Sequence, residues 1–171
     1  ASTAGIAAFV AEKCGGLLLK KETETLYGLL KAPAKPFVAI VGGAKVSDKL
    51  QVLTKLVSKV DRLLIGGAMA YTFLAAKGVS VGKSRVETDR IANAKAILDN
   101  ANKGGVSIFL PVDHVTASEF SETAAPKTTA AADIADGEMG LDIGPKTRTL
   151  YTEAITGAGT VLWNGPMGVF E

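Results

Sequence analysis

Long apolar runs are missing from this chain: none approaches the roughly 18 residues that a membrane-spanning helix requires, and the first residues lack the basic-then-apolar order of a signal peptide. No membrane partner is expected. Cysteine is nearly missing as well. Cys14 is the single one among 171 residues, which excludes an internal disulfide framework and fits a reducing, cytoplasmic compartment; Cys14 itself reads as a small side chain near a helix. Histidine also occurs once, at His114. A charge excess of one sign is absent too, since 19 Lys and Arg face 17 Asp and Glu for a formal net charge of +2. That balance gives no electrostatic case for nucleic acid as a partner, and any basic patch has to be local.

What is present is an ordinary globular composition, 47% apolar, in a length that accommodates one domain with a real core. The chain starts at Ala1 and stops at Glu171 directly after "NGPMGVF", and so reads as a piece of a longer protein. Residues 3–13 and 16–31 read as helical, with Leu18, Leu19, Leu26, Leu29 and Leu30 at helical spacing in the second. The two prolines of "APAKPF" then break the helix. Four short apolar runs follow, at 37–41, 62–66, 107–112 and 160–164, each a candidate buried strand. Amphipathic helices are predicted between them at 47–60, 68–78 and 88–104. Buried strands joined by helical crossovers make a parallel α/β sheet. From 115 to 158 the pattern weakens into small strands, loops and a short helix, and no internal repeat is visible.

In such a sheet ligands bind beyond the carboxyl ends of the strands. Those ends read "GGAKVSDK", "GGAMAYTF", "VDHVTASEF" and "NGPMGVFE". Glycine pairs there let a backbone approach a ligand or let strand pack on helix, and Gly67 is expected to serve such an approach. The first pair is followed by Lys45 and Lys49. If a helix starts in this region, both lysines sit on one face of its first turn, at the positive end of the helix dipole. That placement is tolerable where an anion occupies the site, and the two glycine edges together point to a phosphate-bearing ligand.

Three other motifs fail their own tests. "GVSVGKS" at 78–84 resembles a Walker A loop, but its glycines enclose three residues where four are needed, so it reads as a surface turn. "GAG" at 157–159 precedes a strand, whereas a dinucleotide fingerprint follows one. His114 beside Asp113 has no serine elbow or metal cluster to work with and reads as structural. Trp163 and Phe170 read as core or pocket wall.

"GGAKVSDKL", "IGGAMAYTFL", "LPVDHVTASEF", "GLDIGPKT" and "VLWNGPMGVFE", in that order, closely resemble the carboxy-terminal half of the phosphoglycerate kinase family. The resemblance implies a Rossmann-like parallel sheet with helices on both faces, incomplete at the C-terminus, over residues 14–171, with 1–13 the end of a preceding domain and the start of a connecting helix. It implies reversible phosphoryl transfer from 1,3-bisphosphoglycerate to ADP, giving 3-phosphoglycerate and ATP in glycolysis. It places Lys45 nearest the phosphoryl group in flight, Lys49 and Asn164 on the nucleotide phosphates, and Gly43 and Ala44 against the nucleotide backbone-first. Gly67, Ala68, Phe120, Gly140 and Leu141 surround adenine, Pro166, Gly168 and Val169 form the adenosine wall, and Glu171 accepts from the ribose hydroxyls. Magnesium accompanies ADP or ATP, its aspartate ligand and the 3-phosphoglycerate site lying outside this chain. The whole protein is expected to be a monomer, and this chain alone to bind nucleotide weakly without turnover.

Two alternatives stay open on the residues themselves. One is a generic Rossmann-type dinucleotide module, although "GGAKVSDK" is not its fingerprint and "DR" at 61–62 fits its acidic position only loosely. The other is a noncatalytic interaction protein on the same scaffold, which leaves the lysine pair unexplained.

Overall fold

The structure, a computed structural model, describes residues 5–169; the readings of Phe170 and Glu171, and the first residues of the 3–13 helix, lie outside it. The chain divides into two compact units, Ala1–Pro33 and Ala34–Glu171. In the first, the expected 3–13 helix shrinks, among the described residues, to a 3-10 turn at Ile6–Phe9. Gly5 offers no side-chain cap at its start and β-branched Val10 is extended at its end. Helix α1, Leu17–Lys31, follows as expected and buries none of its residues.

The second unit holds, in chain order, β1 (Phe37–Val41), α2 (Leu50–Leu56), β2 (Arg62–Ile65), α3 (Met69–Ala76), α4 (Ile91–Lys103), β3 (Ser107–Phe109), β4 (His114–Ala117), β5 (Lys127–Thr128), β6 (Met139–Ile143), α5 (Pro145–Ile155) and β7 (Thr160–Asn164). Strands β3-β2-β1-β7 form a parallel four-stranded sheet, and β5-β4-β6 a separate antiparallel one. Alternation along β1 and β2 turns Val38, Ile40 and Leu64 to one face, where they pack with Tyr151 and Ala154 of α5. Ala39, Leu63 and Ile65, all 0% exposed, face the other way. Parallel crossovers are right-handed as a rule, so with strand order β3-β2-β1-β7 the connections from β1 to β2 to β3 carry α2, α3 and α4 over the face opposite α5. The sheet is thus flanked by helices on both sides. Each fully buried leucine or phenylalanine contributes about 1.5–3 kcal/mol.

Several expected boundaries shift for local reasons. Strand β3 ends at Phe109, short of 112, two residues before Pro111, which has no N–H for a ladder. The 88–104 helix resolves into a 3-10 turn at Thr88–Arg90 and then α4. Of the four runs read as buried strands, β3 and β7 are the sheet's outer strands and are only partly covered. Trp163 is accordingly no core residue but 62% exposed, on the wall of a shallow groove with Ile40, Tyr151 and Met167.

Helix α2 covers 50–56, where 47–60 was expected, and this corrects the placement of the lysine pair. Lys49 is the residue before the helix and Lys45 lies in the loop ahead of it. The two are not on one face of a first helical turn. Lys49 N–H closes a turn on Val46 C=O at 2.9 Å, and Ser47 is engaged elsewhere, so the helix cannot start earlier.

Candidate functional site

Strand order reverses between β1 and β7, and the carboxyl ends there border a cleft of about 490 Å³. Gly43 and Ala44 enter it after β1, Gly67 and Ala68 after β2, and Pro166, Gly168 and Val169 after β7. Phe120, Met139, Gly140 and Leu141 close it from the second sheet. Of the stretch after the third strand, Asp113 and His114 turn away into that second sheet and only Phe120, at its far end, reaches the cleft.

Gly67 is needed for the junction of these turns and not only for an incoming ligand. It adopts φ +67, and a Cβ there would lie 2.5 Å from Gly43 N, 2.7 Å from Gly43 O and 2.9 Å from Pro166 O. Its N–H donates to Met167 C=O at 2.7 Å, while Met69 N–H donates to Gly43 C=O at 3.0 Å. Gly140 is required by the buried Tyr71, whose Cε1 would meet an added Cβ at 2.7 Å. Burial and the nearby Asp142 charge raise the Tyr71 hydroxyl well above its ordinary range, so it stays neutral. Phe120, 66% exposed, stands over the opening.

Lys45 and Lys49 stand beside this cleft and do not line it. Lys45 is exposed, and its ammonium makes no hydrogen bond or ion pair with the described residues. Lys49 runs past the first glycine pair, a Cβ on Gly43 lying 3.9 Å from its Cε, and its ammonium donates to Asn164 Oδ1 at the end of β7. Lys49 and Asn164 are therefore brought together at the mouth.

Two lining residues were not foreseen, Lys83 and Arg85. Lys83 belongs to the segment 78–84 read as a surface turn, and Arg85 directly follows it. It is a turn, with Gly82 at φ +52, but Lys83 N–H donates to Glu138 C=O at 2.8 Å and Ser84 Oγ accepts from Gly140 N–H at 2.9 Å. Those bonds lay it along the cleft, and partners some fifty residues away leave no mark in its spacing.

Asp113 and His114 have the structural surroundings expected of them. Asp113 is 1% exposed and its carboxylate accepts from the Lys146 and Thr147 amides at 2.9 and 2.7 Å and from the Thr147 hydroxyl at 2.6 Å, at the start of α5. Burial raises its carboxyl, but these donors outweigh burial and hold it below the usual value. His114 is fully buried, with Nε2 at 3.1 Å from Ala132 C=O and its ring 5.4 Å from that of Tyr71. Among the described residues no group of three or more His, Cys, Asp or Glu side chains could hold a metal ion, and no helix is long and apolar enough to cross a membrane.

A family model described as phosphoglycerate kinase matches residues 1–171. The chain is 54% identical over 170 residues to the phosphoglycerate kinase of Clostridium novyi (strain NT), covering 99% of this chain and 43% of that protein. It is 57% identical over 171 residues to the one from Anaeromyxobacter dehalogenans (strain 2CP-C), covering 100% and 43%. The solved phosphoglycerate kinase of Coxiella burnetii superposes with a TM-score of 0.89 at 44% identity, over 99% of this chain and 44% of that one. The Pyrococcus horikoshii OT3 enzyme gives 0.76 at 30% identity, over 91% and 40%. The chain thus spans less than half the length of the relatives it matches. With a family match along its whole length and identities above half, this chain belongs to the phosphoglycerate kinase family.

Proposed function

We propose that residues 14–171 are the nucleotide-binding domain of a phosphoglycerate kinase, with residues 1–13 ending a preceding domain and starting the connecting helix. The whole protein transfers a phosphoryl group reversibly from 1,3-bisphosphoglycerate to ADP, giving 3-phosphoglycerate and ATP. The observation that carries this reading is the cleft into which three strand ends and the second sheet bring the residues assigned to adenine and adenosine, with Gly43 and Ala44. A flat base fits between Gly67 with Ala68 and Gly140 with Leu141, under Phe120, with Pro166, Gly168 and Val169 as the outer wall.

Phosphates then lie towards Lys49 and Asn164. Phosphoryl transfer asks for in-line positioning and neutralisation of charge on the transferring oxygens. Lys45, with no partner among the described residues, is the group free to supply that charge, and Lys49 supports the nucleotide phosphates. Magnesium entering with the nucleotide adds positive charge on those oxygens. On this reading its aspartate ligand and the 3-phosphoglycerate site belong to the part of the protein outside this chain.

Calorimetric titration of the chain with ADP, ATP and NAD, beside an assay for ATP formation from 1,3-bisphosphoglycerate and ADP, tests the proposal. Weak ADP and ATP binding, no NAD binding and no turnover are expected. Equal binding of NAD, or binding of none, would sink the nucleotide assignment; turnover by the chain alone would sink the division of labour between domains.

A further inference from the structure

Both carboxylate oxygens of Glu87 accept hydrogen bonds from one residue forty positions away. Its Oε2 accepts from Ser47 N–H at 3.0 Å and its Oε1 from the Ser47 hydroxyl at 2.6 Å. Ser47 sits midway between Lys45 and Lys49, in a segment with no helix or strand of its own. The ends of that segment are tied by backbone, Gly43 C=O to Met69 N–H and Lys49 N–H to Val46 C=O. Its middle is held by Glu87. Behind Glu87 the anchor is firm: its own N–H donates at 3.1 Å to the hydroxyl of Thr72, which is 1% exposed on α3.

Glu87 also stands at the start of the Thr88–Arg90 turn and makes no capping bond to it, so its carboxylate is left for Ser47. Burial raises its carboxyl, but the Ser47 hydroxyl, the Ser47 and Val46 amides and the Lys45 charge outweigh burial and hold it below the usual value. The anion is therefore present at neutral pH, and both bonds to Ser47 are charge-assisted. It neither lines the cleft nor hydrogen-bonds a lysine head group.

We propose that Glu87 is a positioning residue, fixing through Ser47 the segment that presents Lys45 and Lys49 to phosphate; this rests on the nucleotide assignment above. An ammonium on a four-carbon stem is a point charge, useful at a phosphate only when its backbone is placed. Two of them on an untethered segment would repel and spread.

The test uses Glu87→Ala, Glu87→Gln and Ser47→Ala in this chain, with two readouts. Amide hydrogen exchange without ligand should show the Ser47 amide accelerated by about tenfold or more in Glu87→Ala, with the Gly67 and Leu141 amides unchanged. Calorimetry should show ADP affinity down by about tenfold and adenosine affinity within about twofold. Glu87→Gln, which keeps an oxygen and a hydrogen-bonding amide, should recover part of both effects, and Ser47→Ala should reproduce the ADP-selective loss. Unchanged Ser47 exchange overturns the proposal, as does a parallel loss of ADP and adenosine, which would mean that Glu87 supports the whole cleft. Should the unaltered chain bind neither ligand, the nucleotide assignment fails, and the exchange measurement still decides whether Glu87 orders the segment.

Discussion

At one end of the cleft the turns after β1, β2 and β7 touch through backbone, Gly67 N–H on Met167 C=O and Met69 N–H on Gly43 C=O at 2.7 and 3.0 Å, and Val169 N–H ties the last of them to Leu141 C=O of β6 at 2.9 Å. Beside the cleft, past its other end, stand the tips of Lys45 and Lys49, on a segment located by its ends and by Glu87. The glycine end has its shape before any ligand arrives, because moving it breaks bonds between three strand ends. The lysine end has charge but little shape of its own. A flat apolar group suits the first surface and a polyanion the second, and mutations at the two ends should fail in different ways.

The largest difference is expected at Gly67. Gly67→Val imposes a branched side chain at φ +67 and pushes it into the backbone of Gly43 and Pro166, so a stability loss of about 2–4 kcal/mol is expected by urea unfolding, together with loss of ligand. Retained stability with ligand alone lost would show that the glycine serves only the base and would erase the contrast between the ends.

A smaller effect is expected from acid. Burial holds the His114 imidazole below its ordinary 6.5, although the Ala132 carbonyl and the Asp113 charge pull upward. The unfolded chain then takes up the proton first, so this contribution to stability is complete above the ordinary value and is lost as pH falls through it towards the folded value. Unfolding midpoints between about pH 7.5 and 5 should fall with acid, and His114→Gln should flatten that slope. Because Tyr71 lies between His114 and Gly140, hydrogen exchange at Gly140 should rise before exchange at Ser47 does. An unaltered slope in the variant would remove His114 from the account.

The smallest effect is expected at Lys45. With no partner among the described residues, Lys45→Ala should change unfolding free energy by no more than about 0.5 kcal/mol. A loss of several kcal/mol would make the lysine end structural after all.

Much of the scaffold was legible along the chain. Strands β1 and β2 and helix α4 follow from apolar runs and helical spacing, and the glycine pairs marked where the cleft would be. The lysine placement was not. "GGAKVSDK" reads as a helix start because strand, glycine and amphipathic run occur in that order, yet Glu87 takes Ser47 and the helix waits until Leu50. Gly140 reads as space for a base, and it does line the cleft, but the reason no side chain fits there is Tyr71 packed behind it. Lys83 and Arg85 were passed over because a turn in isolation does not say what it lies against.

The sequence by itself determined the family, the alternation of strand and helix, and which strand ends carry glycine and lysine, since these depend on residue order and on periodicities that each segment carries internally. Only the tertiary structure decided that Lys45 has no partner among the described residues while Lys49 meets Asn164, that Ser84 and Tyr71 shape the slot at Gly140, and that Glu87 holds the loop between the lysines. Those outcomes rest on single hydrogen bonds and close approaches between segments tens of residues apart, which leave no periodicity in either segment and exist only once the sheet has brought its strand ends together.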